Sequence, residues 1–305
     1  MRNETVPQRQ MAAWIFLAMT APLAQLAGGG WLTMLAAGLA GGLFAWLALK
    51  MRRPQASWLC TLQWIWVTLA LSCFAPETAN SWPMGDAYPV VPLAMLLLAV
   101  WAAQKGTAAA SGAAATFIYI VSAGFAVVLA AGIGQTRWHA LTQLPREMNP
   151  ALLAVFLLPC AAAAIPGKKK QANRAITAAL VLGVLCAGVV QGVLPDDAGG
   201  TAPFYEMSRS LELFGAWERF EAPVCALLTV GWFAMLELLL CAGGCLFSTV
   251  VKDSYRAGVF VTAFIAGVLM LCNVRINAAF LAVFGGICWG IFPVATQGIE
   301  SEKKM

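Results

Sequence analysis

The chain has 305 residues, 61% of them hydrophobic and only 11% charged, where an ordinary soluble domain is about 25% charged. Apolar stretches of roughly 20 residues, the length that crosses a bilayer as a helix, take up most of it, which excludes a soluble enzyme. The net charge of +5 is carried at the ends of these stretches, where membrane topology accounts for it without any affinity for nucleic acid.

In chain order the apolar runs predict ten spans. They fall at 11–28, 31–49, 57–75, 88–103 and 113–133, then at 148–165, 175–194, 223–246, 257–272 and 278–296. The expected fold is an all-α integral membrane protein, one membrane domain over 1–305. No signal peptide is read, because no small-residue cleavage site and soluble domain follow the first run.

The first span carries Pro22 at its middle, within Thr20-Ala21-Pro22-Leu23. A mid-span proline removes a helical hydrogen bond and crowds the preceding turn, and in lipid the freed carbonyl needs another partner. The sixth span repeats the feature with Pro159, within Leu157-Leu158-Pro159-Cys160, whereas Pro89, Pro92, Pro150, Pro223 and Pro293 lie near span ends. Ten spans divide into halves at 11–133 and 148–296, and five spans per half force the halves into opposite orientations. That is the plan of a 5+5 inverted repeat of the leucine-transporter-like kind, in which the first helix of each half is broken around the substrate. Thr20, Pro22 and Pro159 are therefore candidate substrate-binding positions; a simple kink is the alternative for each proline.

Between the halves, His139 is the only histidine and reads as a surface residue of the loop 135–149. The run Lys168 to Lys170 reads as a topogenic loop, with a lipid headgroup site as the alternative. The segment 195–222 is too long for a simple hairpin. Phe204, Met207, Leu211, Phe214 and Trp217 recur there at helical spacing, with Glu206, Arg209, Glu212, Glu218 and Arg219 mostly on other faces. This predicts an amphipathic outer helix on the membrane surface or capping the bundle, either a resting linker or a lid over a substrate path.

Glu237 is the single acidic residue deep in an apolar span, within Met235-Leu236-Glu237-Leu238-Leu239. A charged group there costs at least about 2.5 kcal/mol unless protonated, paired or wetted, so it is a candidate proton- or cation-linked substrate site. A protonated glutamate bonded to a neighbouring helix is the alternative. The nine cysteines lie in apolar runs without a CxxC pair, and Cys241 and Cys245 share a face with no third ligand nearby, so no metal and no cofactor are expected. No GxxxxGK[ST] loop or hydrolytic acidic pair suggests use of ATP.

The basic residues set the orientation. With both termini inside, the inner loops hold Arg2, Arg9, Lys50, Arg52, Arg53, Lys105, Lys168, Lys169, Lys170, Arg174, Lys252, Arg256, Lys303 and Lys304. The outer loops hold only Arg137, Arg146, Arg209, Arg219 and Arg275. Nine or eleven spans would scramble this alternation.

Val6-Pro7 to Gln10 ahead of the first span, and Ala27 to Trp31 opening the second, resemble the start of the B-subunit permeases of spore germinant receptors. A stronger likeness lies in Pro203-Phe204-Tyr205, Arg209, Gly215-Ala216-Trp217-Glu218-Arg219-Phe220-Glu221 and Trp232. That family carries a similar P-x-Y then G-x-x-x-R-x-E stretch leading into its eighth helix, which makes Tyr205, Gly215, Arg219 and Glu221 the motif positions here. The resemblance implies a member of the amino acid, polyamine and organocation transporter superfamily in the inner spore membrane, recognising a small nutrient such as an amino acid. It also implies two partners, a lipoprotein subunit and a second membrane subunit of the receptor. The chemistry leaves a second class open, a non-transporting membrane scaffold or assembly subunit, favoured by the few polar residues inside the spans. A membrane-embedded enzyme needs converging His, Asp or Cys groups, and the spans offer no clear set.

Overall fold

A computed structural model describes residues 5–50, 57–81, 89–142, 149–167, 169–194, 202–211, 221–251 and 254–295. The helices are α1 (Gln8–Gln25), α2 (Trp31–Lys50), α3 (Ser57–Phe74), α4 (Val90–Ala103), α5 (Thr107–Gln135) and α6 (Pro150–Ala161). There follow α7 (Ala172–Val193), α8 (Pro203–Ser210), α9 (Glu221–Val251), α10 (Tyr255–Leu271) and α11 (Ala278–Gly286), the last continuing through a π turn at Ile287–Ile291. Among the described residues there is no strand, only an isolated bridge between Val6 and Gly167.

Six helical segments are long and apolar enough to cross a membrane: Trp31–Lys50, Ser57–Ala79, Thr107–Gln135, Ala172–Val193, Glu221–Val251 and Ala278–Ala295. Ten were expected; α1, α4, α6 and α10 are not among the six. For α6 the cause is visible in the chain. It stops two residues beyond Pro159, and its 12 residues rise only about 18 Å against a hydrocarbon core of about 30 Å. In the other direction α9 runs to 31 residues, roughly 46 Å, well past the expected 223–246 and enough to cross tilted or to protrude.

Burial separates central helices from peripheral ones. In α1, 13 of 18 residues are buried, including every residue from Leu17 to Gln25. In α5 only eight of 29 are, and Phe117, Tyr119, Ile120 and Val127 point outward. Low polarity on an outward face is what a lipid-facing helix requires, and the near-complete burial of α1 marks it as the axis of the bundle.

Two sets of four helices pack internally. In one, α1 lies on α7 and α6, and α2 on α6 and α7; in the other, α3 and α4 each lie on α9 and α10, and α9 on α10. The long contact of α1 with α9 joins the sets, while α5 lies along α1 and α11 along α6. The connecting segments sort to opposite ends. At one end the Val6 N–H donates to the Pro166 carbonyl (3.1 Å), the Ser111 hydroxyl to Gln10 Oε1 (3.2 Å) and the Tyr255 hydroxyl to the Ala103 carbonyl (3.1 Å). At the other, Trp31 Nε1 donates to the Leu141 carbonyl (3.1 Å), Gln191 Nε2 to the Ala140 carbonyl (2.9 Å) and Gln25 Nε2 to Glu77 Oε2 (3.3 Å). The turn from α1 straight into α2 needs Gly30, whose φ of 87° is a region that side chains with a Cβ avoid.

The outer segment departs from the expected long amphipathic helix. Among the described residues only Pro203–Ser210 is helical, and Leu211 is extended at φ −80°, ψ 126°. The hydroxyls of Ser208 and Ser210 bond back to the carbonyls of Tyr205 and Met207 (2.6 and 2.7 Å), the local competition that ends helices. Phe214 and Trp217 lie outside the described residues. What remains is inserted rather than laid flat: Phe204, Tyr205, Met207, Ser208 and Leu211 are buried, Phe204 stacks on Phe125 at 5.4 Å, and α8 touches α1, α5, α7 and α9.

Candidate functional site

The centre of the bundle is the contact of α1 with α9, and a glycine makes it close. A Cβ on Gly231 would lie 2.7 Å from Thr20 Oγ1, 2.8 Å from Ala21 Cβ and 3.0 Å from the Ala21 backbone nitrogen. Half a helix further along, Trp14 Nε1 donates to the carbonyl of Ala234 (3.1 Å). Thr20 is buried, and its hydroxyl donates back to the Leu17 carbonyl (2.7 Å), so its polarity is satisfied within α1.

Pro22 sits inside a helix that continues to Gln25, where the expected break at the proline itself is replaced by one that follows it. Leu26 N–H still bonds the Pro22 carbonyl (3.0 Å), and the chain then tightens into a 3₁₀ turn at Ala27–Gly29. Pro159 behaves differently. Its helix ends at Ala161, and residues 162–165 descend through successive i to i−3 hydrogen bonds onto the carbonyls of Pro159, Cys160, Ala161 and Ala162. Ala162, Ala163, Ala164 and Ile165 remain buried. Non-helical backbone of this kind is tolerated at membrane depth only where protein encloses it. Lys169 Nζ donates to the Ala163 carbonyl, placing a cation at the negative end of α6.

Glu237 lies on α9 six residues beyond Gly231, about 9 Å along the axis by the helical rise. It is 4% exposed and has no hydrogen-bond or ion-pair partner among the described residues. One turn further on along α9 is Cys241, and the Tyr255 hydroxyl of α10 donates to the Ala103 carbonyl at the end of α4 (3.1 Å). Thr20, Pro22 and Pro159 are on helices that touch one another, but no hydrogen bond links any of them to Glu237.

The motif positions divide. Gly215 and Arg219 lie outside the described residues. Tyr205 and Glu221 are brought together across the start of α9: the Tyr205 hydroxyl donates to Glu221 Oε2 (3.3 Å), and Arg209 Nε stands 3.4 Å from Glu221 Oε1. Burial, and then the adjacent Glu221 carboxylate, push the Tyr205 phenol above its usual range, with the Arg209 cation opposing. The arrangement clamps α8 over the end of the bundle. His139 is exposed in a short 3₁₀ turn, and among the described residues no three His, Cys, Asp or Glu side chains are grouped to hold a metal.

One polar position in a span escaped the sequence reading. Gln63, in the middle of α3, is 1% exposed and donates through Nε2 to the Cys288 carbonyl of the π turn (3.2 Å). An amide between Leu62 and Trp64 inside an apolar run was the available signal.

No protein-family model matches the chain, and no curated protein matches it.

Proposed function

We propose that this chain is a ten-span membrane permease-like protein with both termini cytoplasmic, sensing or transporting a small nutrient such as an amino acid during spore germination. The observation that carries it is Glu237: an acidic side chain, nine-tenths buried and without a hydrogen-bond or ion-pair partner among the described residues, about 9 Å along α9 from the close contact with α1. A group that expensive to keep in an apolar span is a functional candidate by default.

The packing supports the architecture. Exchanging α1 to α5 for α6, α7, α9, α10 and α11 in that order turns the contact of α2 with α6 into that of α7 with α1. The same exchange turns α5 on α1 into α11 on α6, and α10 on α3 into α4 on α9; all of these pairs are packed. A 5+5 inverted repeat calls for such a correspondence; it holds for these pairs, whereas α1 on α9 and α9 on α10 have no comparably packed counterparts in α6 on α3 and α3 on α4. The buried, non-helical stretch after Pro159 supports a ligand region on the first helix of the second half, with Thr20 and Pro22 on its counterpart α1. Tyr205 and Glu221 link α8 to the start of α9 through one hydrogen bond. Partners on this reading are the bilayer, a lipoprotein subunit and a second membrane subunit.

Replacing Glu237 with Gln tests it. Nutrient-triggered germination or uptake is expected to fall at least tenfold while the protein still inserts at wild-type level; unchanged activity removes Glu237 from the site.

A second reading, a scaffold or assembly subunit without a ligand of its own, draws on Thr20, whose hydroxyl is internally satisfied and covered by α9. Calorimetric titration of purified protein with amino acids separates the two: the permease reading expects saturable heat, the scaffold reading none.

A further inference from the structure

A place where two helices meet around unsatisfied polar atoms lies away from Glu237, between α3 and the π turn after α11. In that turn the Phe292 N–H bonds the Ile287 carbonyl, one residue further back than in an α-helix. Residue 293, next in line to serve the Cys288 carbonyl in this register, is a proline and has no N–H. The carbonyl is instead capped from outside by Gln63 Nε2 at 3.2 Å. That bond fixes the amide, since turning it over would set Gln63 Oε1 against another oxygen.

With Nε2 committed, Gln63 Oε1 is buried with no hydrogen-bond partner, and so is the indole Nε1 of Trp289, the residue next to Cys288. Both residues are 1% exposed. They belong to one contact: Trp66, a turn along α3 from Gln63, meets the Trp289 ring edge-on at 6.0 Å. Trp66 cannot serve either atom, because its own Nε1 donates to the Leu281 carbonyl (2.9 Å). A buried acceptor and a buried donor left unmet are each destabilising, and a single molecule of complementary polarity between them would remove both penalties.

We propose that this contact binds one water-sized neutral molecule, water itself, that donates to Gln63 Oε1 and accepts from Trp289 Nε1. The chemistry selects against ions: an indole N–H repels a cation, an amide oxygen repels an anion, and no charged side chain bonds to either. Size is limited by enclosure, since both residues that would hold the molecule are 1% exposed. Two polar partners meet the lower bound for a buried water. The site is independent of whether Glu237 binds a nutrient.

The test is an experimental structure of the full chain in lipid nanodiscs at a resolution that shows ordered water, together with NMR of protein labelled with 15N at tryptophan. Density within about 3.2 Å of both atoms is expected, and the Trp289 indole proton, identified by the peak lost in W289F, should receive magnetisation from bound water. In Gln63→Met that transfer should be lost. A dry contact in the structure, an indole with no water transfer in the wild-type protein, or a transfer unchanged by Gln63→Met each overturns the proposal. The wild-type measurements decide the matter even if the variant fails to fold.

Discussion

Single residues in this protein divide by the solvent around them. Glu237 stands alone in an apolar span, whereas Glu221, at the first turn of α9 and partly exposed, has both Tyr205 and Arg209 for company. The Arg209 pair is worth little by itself, about 0–1 kcal/mol for so exposed a guanidinium, so the burial of Phe204, Tyr205 and Met207 is what holds α8 down. The Tyr205 phenol titrates above the ordinary tyrosine value of about 10 because burial and Glu221 disfavour its anion. The folded state therefore keeps this proton longer than the unfolded one. Its contribution to stability is complete below about pH 10 and is lost as pH climbs through the folded value. Thermal midpoints measured across the alkaline range should show that loss in the wild-type protein and a flatter profile in Tyr205→Phe.

At the scale of elements, the contact between α1 and α9 depends on Gly231 having no side chain. In Gly231→Ala the added methyl meets Thr20 and the Ala21 backbone at 2.7 to 3.0 Å, and backbone cannot turn aside as a side chain does. Overpacking of this kind costs about 1–3 kcal/mol, expected as a lower thermal midpoint in detergent, with Gly286→Ala, where a Cβ meets nothing within 4 Å, as the control. Gly231 was invisible in the sequence because glycine is common in membrane helices and close approach is a property of two packed helices, not of one. Pro159 was legible, since a proline in mid-span must disturb its helix. Pro22 looked the same in sequence, yet α1 absorbs it as an internal residue, although α6 is as fully enclosed from Ala154 to Ala161 as α1 is over its second half. Tyr205 and Glu221 entered the sequence reading only as separate motif positions, and their hydrogen bond was not foreseen; nor does periodicity register the serine hydroxyls that end α8 at Ser210.

Across the whole molecule, composition carried most of the information about class. The helical, membrane-embedded character follows from long apolar runs, and six of those runs reappear as helices of spanning length. What composition could not foresee is that α1 lies buried at the centre, since that depends on how the two sets of four helices enclose it. The sorting of connections in space makes a topological prediction. Reporter fusions placed in 168–174 and in 196–221 should report opposite compartments, the first cytoplasmic, and a common compartment for both would dismantle the ten-span arrangement.

Val6 is almost fully enclosed, and its backbone N–H is fastened to the Pro166 carbonyl beside Gly167, at the tail of the unwound stretch that follows Pro159. Val6 is thereby moored to a buried stretch whose i to i−3 hydrogen bonds replace the regular α-helix. Any shift of that stretch tows the leading residues with it, so a fluorophore near the start of the chain becomes a remote gauge of motion at the heart of the bundle.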